Sequence, residues 1–156
     1  MAETETAPPG ADAARRGWMR VLALADAAEL DRAYAMLGEL PPRQWLRRPE
    51  TGMAMVRARS GGTGAQFNLG EITVTRCAVA LADGVTGVAY VRGRAERHAE
   101  QAAMADALMQ LPHWRERVRA ALIEPLAQAH AARRQARAQD AAHTKVDFFT
   151  LVRGED

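Results

Sequence analysis

The sequence predicts an α+β domain, and two observations support this fold class. Apolar residues recur at helical spacing in both the N-terminal and the C-terminal parts of the chain. Between them, the region from Met53 to Val91 is rich in Thr, Val, Ile and Leu and is divided by glycine-containing turns, which is typical of strands. Because these strands follow one another in sequence, we expect a mainly antiparallel meander of three or four strands, flanked by N-terminal and C-terminal helices.

Length and composition indicate one ordinary globular domain. The 156 residues are 48% hydrophobic and 26% charged, which suits a chain with a single core and no membrane span. The 21 basic and 19 acidic residues leave a net charge of +2, which is too small to indicate nucleic-acid binding. The N-terminus lacks the basic start and apolar run of a secretory signal. We therefore expect a cytoplasmic protein without membrane or nucleic-acid partners.

The N-terminal part predicts a mobile lead-in followed by two helices. Residues 1–11 contain prolines, threonines and glutamates, which bury little surface. A single domain is expected over residues 12–140, and Asp12 is placed to cap its first helix. Pro41 and Pro42 end the second helix. The apolar positions of the two helices are Trp18, Val21, Leu22 and Ala25, then Leu30, Ala33, Tyr34 and Leu37.

The central region predicts the strands. Residues 43–50 carry several arginines and a proline around Trp45, and we interpret them as a connector. A later β-prone stretch is long enough for one bent strand or two, with Gly70 at the bend or bulge. Asp83 and Gly84 then predict a hairpin turn. The expected strands are residues 53–59, 67–81 and 85–91.

The C-terminal part predicts helices and a docking tail. After Gly93 the apolar spacing becomes helical, and we expect this helix to end near Pro112. A further helix begins near His113, and Pro125 is expected to interrupt or kink it. Residues 141–156 form an apolar tail that is expected to dock, either on this domain or on a partner chain. The expected docking residues are Phe148, Phe149, Leu151 and Val152.

The segment SGGTG at residues 60–64 is the first candidate site. Strand alternation places Arg57 and Arg59 on one face that leads into this loop. The glycines and arginines could together bind a phosphate or phosphonate group, or contact a partner. A plain hairpin loop is the alternative, since the loop lacks the lysine and the following helix of the familiar nucleotide-binding motifs. The loop residues of interest are Gly61, Gly62, Thr63 and Gly64.

Four other polar or reactive residues are candidates that also allow a structural interpretation. Arg76 either extends the positive site or ends a strand. Glu71 and His98 are candidate acids or bases, and a solvated first helical turn is the alternative for His98. Cys77 is the only cysteine, which excludes an internal disulfide, and its surroundings predict a buried strand residue rather than a nucleophile. The histidines lack the spacing of a helical metal site, so we expect no bound metal.

Four motifs span nearly the whole chain in order. They are RGWMRVLALADAAEL, SGGTGAQFNLGEITVTRCAVAL, YVRGRAERHAEQAAMADALMQ and VDFFTLVRGED. Together they resemble the PhnG subunit family of the bacterial carbon–phosphorus lyase pathway. The chain departs from the family pattern at Ala95, where Asp is usual, and at Ala58, where glycine is common. We therefore infer no role for these two positions.

The resemblance implies an accessory subunit for the synthesis of alpha-D-ribose 1-methylphosphonate 5-triphosphate, in which a phosphonate is transferred to the ribose C1 of MgATP and adenine is released. It implies a hetero-oligomer with PhnI, PhnH, PhnJ and PhnL, in which PhnI carries the nucleosidase chemistry. MgATP is then a substrate of the complex, and this chain alone binds no cofactor. Two alternatives stay open: a purely structural scaffold, or a self-sufficient phosphate-binding enzyme that uses Arg57, Arg59, Glu71 and His98.

Overall fold

The computed structural model describes residues 11–143, and it confirms the predicted α+β architecture. Three antiparallel strands form one sheet in the order β1-β2-β3. The elements are α1 (Ala11–Leu24), α2 (Ala27–Ala35), β1 (Arg43–Arg59), β2 (Gln66–Leu81), β3 (Thr86–Arg92), α3 (Glu96–Gln110), α4 (Pro112–Val118), a π-helical turn (Arg119–Ile123) and α5 (Glu124–His143). Residues 1–10 and 144–156 lie outside the described part, and so do the predicted docking residues Phe148, Phe149, Leu151 and Val152.

Strand β1 begins at Arg43, so the prediction of a connector over residues 43–50 is wrong. Trp45 pairs with β2, and the guanidinium carbon of Arg43 lies 4.8 Å from the centroid of the Trp45 ring. The pairing with β2 shifts on both sides of Arg47, and the second shift spans Pro49. Because an irregular pairing leaves some backbone N–H groups out of the ladder, this strand accommodates a proline that a regular central strand would exclude.

Strand β2 is one continuous strand with a bulge, as the position of Gly70 predicted. Val56 pairs with Gly70 and Arg57 pairs with Asn68, which leaves Leu69 as the extra residue. The bulge therefore places Asn68 on the same sheet face as Arg57. An unbroken strand would have placed it on the opposite face.

Helix α3 forms the centre of the core. Residues 101–109 are all buried, because the sheet covers one side of the helix and other helices cover the rest. The close approach of α3 to the sheet requires Gly87 in β3, since a Cβ atom there would lie 2.0 Å from the carbonyl oxygen of Ala103. Among residues 11–143, no helix is both long enough and apolar enough to cross a membrane.

Pro125 does not end the last helix. The helical backbone continues from α4 through the π-helical turn Arg119–Ile123 into α5, and Pro125 follows that turn directly within α5. Proline lacks an N–H group and its ring crowds the preceding turn, so a wider turn ahead of it relieves the conflict. The predicted interruption is therefore a local widening of one continuous helix.

The outer parts of β1 and β2 form a two-stranded ribbon, residues 51–73, which we call the hairpin arm. No residue of the arm is buried, whereas β2 is buried at alternate positions from Thr75 to Leu81. At roughly 3.4 Å per residue, the strand from Met53 to Arg59 extends about 20 Å. The arm therefore presents both of its faces outside the core.

Candidate functional site

The hairpin arm exposes large apolar side chains on both faces. Met53 and Met55 are 68% and 51% exposed, on the face that also carries Arg57. Phe67 and Ile72 are exposed on the opposite face. The bulge adds one further exposed apolar residue, Leu69. Exposed apolar side chains that adjoin one another in this way typically mark a contact surface.

The loop at the tip of the arm is a closed turn. Gly61 and Gly62 have φ angles of 59° and 82°, which favour glycine. The N–H groups of Thr63 and Gly64 both donate to the carbonyl oxygen of Ser60. These two N–H groups are therefore engaged inside the turn, and the loop serves at least as the hairpin connection that was one of the two interpretations.

The two arginines beside the loop differ in their contacts. Arg59 donates from Nη1 to the carbonyl oxygen of Gly64 at 3.1 Å, so it braces the turn. Arg57 is exposed on the same face, and its side chain forms no hydrogen bond or ion pair with another residue of the described range. Arg57 is therefore the more available of the two for a partner or an anion. Anion binding by this loop stays a prediction.

Arg76 lies at the base of the arm and is paired. Its Nε donates to Oε1 of Glu50 at 2.6 Å, and Arg47 donates to the same oxygen. The hydrogen bond from Arg47 and then that from Arg76 lower the pKa of Glu50. Arg76 thus joins β2 to the irregular part of β1, which accounts for its position without a ligand.

The two candidate acid–base residues lie in different surroundings. Glu71 is exposed on the arm opposite Met55. His98 is only 7% exposed, and its Nε2 donates to the carbonyl oxygen of Leu22 at 2.7 Å, since a carbonyl can only accept. A solvated first turn is therefore the wrong interpretation of His98, which holds α3 to α1. Within residues 11–143, no hydrogen bond joins it to Glu71.

Asp106 is a fully buried carboxylate that the sequence prediction missed. Its Oδ1 accepts from Nε of Arg15 at 3.1 Å and from Nε1 of Trp18 at 2.9 Å. Its Oδ2 accepts from Nη2 of Arg15 at 2.7 Å and from the N–H of Val88 at 3.0 Å. The bond to Asp106 raises the pKa of Arg15. The sequence did indicate this residue, because Asp106 is the one charged residue inside the apolar run AAMADALM.

Cys77 is buried in β2, which confirms the prediction of a buried strand cysteine. It is 2% exposed, and burial raises the pKa of its thiol to about 11. At neutral pH the thiol is therefore protonated and a poor nucleophile. In the part of the chain that the structure describes, no group of three or more His, Cys, Asp or Glu side chains is placed to hold a metal ion.

Comparison with known proteins shows to which family the chain belongs. The family model described as "Phosphonate metabolism protein PhnG" matches residues 13–154. The chain is also similar to a curated protein of Rhizobium meliloti (strain 1021), the alpha-D-ribose 1-methylphosphonate 5-triphosphate synthase subunit PhnG. The two are 42% identical over 156 residues, which cover 100% of this chain and 99% of the relative. The chain therefore belongs to the PhnG family of phosphonate metabolism proteins.

Proposed function

We propose that this chain is a non-catalytic, accessory subunit of an alpha-D-ribose 1-methylphosphonate 5-triphosphate synthase in the carbon–phosphorus lyase system. In this proposal the complex transfers a phosphonate to the ribose C1 of MgATP and releases adenine. The partners are PhnI-, PhnH-, PhnJ- and PhnL-type subunits. The subunit role is supported by the name of the relative that is 42% identical over the full chain.

The observation that carries the proposal is the hairpin arm. A two-stranded ribbon is marginally stable on its own in water, yet this one extends beyond the core with exposed apolar residues on both faces. Each large side chain stabilises a contact by roughly 1.5–3 kcal/mol when it is fully buried. Docking of the arm on a partner subunit would bury this surface and order the ribbon. The side chains concerned are Met53, Met55, Phe67, Leu69 and Ile72.

The tip of the arm gives this docking a functional consequence. Arg57 and Arg59 share one face beside the glycine loop, at the end of the arm farthest from the core. A docked arm would carry these guanidinium groups into the partner, where they meet either its acidic side chains or the anionic substrate of the complex. The arginines are in this way proposed to complete a site that this chain does not form alone.

The chemistry of the described residues supports an accessory role. His98 and Asp106 are buried and hold helices together, and Cys77 is a protonated, buried thiol. Each of these groups has a structural explanation. Glu71 is exposed on the arm, and within residues 11–143 its side chain forms no hydrogen bond or ion pair with an acid or base.

Co-purification with the partner subunits tests the docking surface. We expect the double variant Met55→Asp/Leu69→Asp to lose the partners, because it places two charges on the surface that becomes buried. Met36→Asp is a single-charge control, since Met36 is 76% exposed at the end of α2, outside the arm. Self-association of the free chain that depends on the arm would indicate a second copy as the occupant. The proposal is wrong if the double variant retains all partners.

Activity measurements separate the alternatives. If the isolated chain released adenine from ATP and methylphosphonate, a self-sufficient enzyme would replace the accessory role. If Arg57→Ala/Arg59→Ala left the activity of the complex intact while deletion of residues 146–153 abolished assembly, a pure scaffold would be the better description. We expect instead that the arginine variant assembles normally and lowers the activity of the complex.

A further inference from the structure

We propose that a cavity between α1, β3, α3 and α5 binds a phosphate-bearing polyanion, at a site separate from the glycine loop. The cavity has a volume of about 480 Å³, which lies in the range of roughly 300–1,000 Å³ that is usual for small-molecule sites. We call it the arginine cavity. Its basic and imidazole lining residues are Arg92, His98, His130, Arg133, Arg134 and Arg137.

The charge of the arginine cavity is strongly unbalanced. Four arginines line it, and Asp26 is the single carboxylate among the lining residues. The Asp26 side chain is already engaged, because its Oδ1 accepts from the N–H groups of Ala28 and Glu29 at 3.0 and 3.1 Å. It caps α2 and does not pair with an arginine of the cavity. The cavity is therefore a local region of positive potential.

Arg133 supplies a second, independent observation. Its Nη1 donates to Oε2 of Glu29 at 2.6 Å, but its Nη2 is buried and has no hydrogen-bond partner among the described residues. A buried guanidinium N–H without an acceptor is costly, and such groups call for an explanation. An anion in the cavity that Arg133 lines would supply the missing acceptor oxygen once rotation of the side chain opens Nη2 to the cavity.

The other arginines have no evident structural task. Arg92, Arg134 and Arg137 form no ion pair within residues 11–143. Arg134 and Arg137 stand three residues apart on α5, where like charges repel each other. Arg134 and Arg137 could be unpaired simply because they lie on a solvated face of α5. Solvation of that face does not explain why Arg92, at the end of β3, lines the same cavity.

The first turn of α3 lines the cavity but does not add to its charge. Ala95 and His98 line the cavity, and Ala95 is the N-cap of α3. The N–H of Ala95 donates to Oγ1 of Thr75 at 2.9 Å, and Glu96 in the first turn offsets the positive end of the helix dipole. The arginines therefore carry the argument.

The number and kind of cations indicate the class of ligand. Guanidinium groups bind phosphate oxygens through paired, charge-assisted hydrogen bonds. Four such groups offer more donors than one phosphate can use, so a chain of phosphates is a better match than a single one. We therefore infer a compact oligophosphate, with inorganic triphosphate as the simplest probe. This inference does not depend on the docking of the hairpin arm.

Calorimetric titration of the full chain with inorganic triphosphate at low ionic strength tests the site. We expect saturable binding that is tighter than that of inorganic phosphate. The variant Arg134→Gln/Arg137→Gln should raise the Kd about tenfold or more, since the loss of even one charge-assisted bond is worth roughly that factor. The matched control is Arg16→Gln/Arg20→Gln, which removes the same charge from two exposed residues of α1 that do not line the cavity. It should change the Kd by less than about twofold, and unchanged thermal unfolding should show that both variants fold.

Three results would overturn the proposal. Absence of saturable heat with the full chain would show that the cavity is not an oligophosphate site. Equal weakening by both double variants would indicate a general charge effect. Weakening by the control alone would place the anion on α1, outside the arginine cavity. If ATP competes with triphosphate, the site takes the phosphate chain of a nucleotide, and if it does not, free oligophosphate is the ligand class.

Discussion

At the scale of single residues, the buried carboxylate of Asp106 joins several elements of the structure. Asp106 lies in the middle of α3, and its carboxylate accepts hydrogen bonds from α1 and β3. Arg15 also donates to the carbonyl oxygen of Thr86, and Gln110 donates to the same oxygen, so side chains occupy the free edge of β3. One buried carboxylate thus fixes the mutual positions of two helices and an edge strand, and protects that edge from pairing with another chain.

Replacement of Asp106 tests this role. We expect Asp106→Ala to lower the free energy of unfolding by about 3–5 kcal/mol, because it leaves the Arg15 guanidinium and the Trp18 and Val88 N–H groups without their acceptor. Urea denaturation measures the loss. Asp31→Ala is the control, since Asp31 also binds an arginine, Arg97, but in an exposed position. A similar loss of unfolding free energy in both variants would show that the burial of Asp106 adds nothing to the stability of the protein.

At the scale of elements, the contact between β3 and α3 is unusually close. Gly87 faces the helix backbone, and a Cβ atom at this position would lie 2.0 Å from the carbonyl oxygen of Ala103 and 2.7 Å from the N atom of Ala107. Both atoms belong to backbone, so they cannot move aside without shifting the helix. The small residues of α3 and the glycine of β3 are therefore both required for this close packing.

A pair of glycine substitutions tests this packing. Gly87→Ala should lower the free energy of unfolding by about 1–3 kcal/mol or more, because the methyl group forces the helix and strand apart. Gly17→Ala is the matched change in α1, where a Cβ atom would meet nothing within 4 Å. It should instead stabilise the protein by about 0.5–1 kcal/mol, through the better helix propensity of alanine. Equal stability of Gly87→Ala and the unaltered chain would contradict the packing argument.

At the scale of the whole molecule, the chain combines a dense core with an unsupported extension. Helix α3 is covered on all sides, whereas the hairpin arm, residues 51–73, contains no buried residue. Regions with few buried contacts open with little free energy, while core elements open only when the whole protein unfolds. We therefore expect the arm to open most readily within the described chain, and docking on a partner subunit would order it most.

Amide hydrogen exchange followed by mass spectrometry tests this contrast. In the free chain we expect the amides of α3 to exchange most slowly and those of the hairpin arm to exchange fast, because the arm is a two-stranded ribbon without a core. Addition of the partner subunits should slow the arm and leave α3 unchanged. Arm amides that are as protected as those of α3 in the free chain would contradict the expectation.

Features that depend on neighbouring residues could be predicted from the sequence, whereas features that depend on residues far apart in the chain could not. The bulge at Gly70 and the turn of residues 60–64 were predictable, since both depend on local glycine chemistry. The strand over residues 43–50 was not, because arginines and Pro49 argue locally against it. Pairing with β2 overrides that preference, and the irregular register accommodates the proline. His98 was misjudged for a similar reason, since its acceptor, the Leu22 carbonyl, lies in another helix.

The sequence by itself determined the fold class and the family, because hydrophobic periodicity, glycine positions and the order of motifs are written along the chain. Only the tertiary structure decided which surfaces are free and which charges meet. It showed that the arm extends from the core, that four donors surround Asp106, and that Arg92 lines one cavity with the arginines of α5. These features join residues far apart in sequence, so they depend on how the helices and the sheet pack and not on any local pattern.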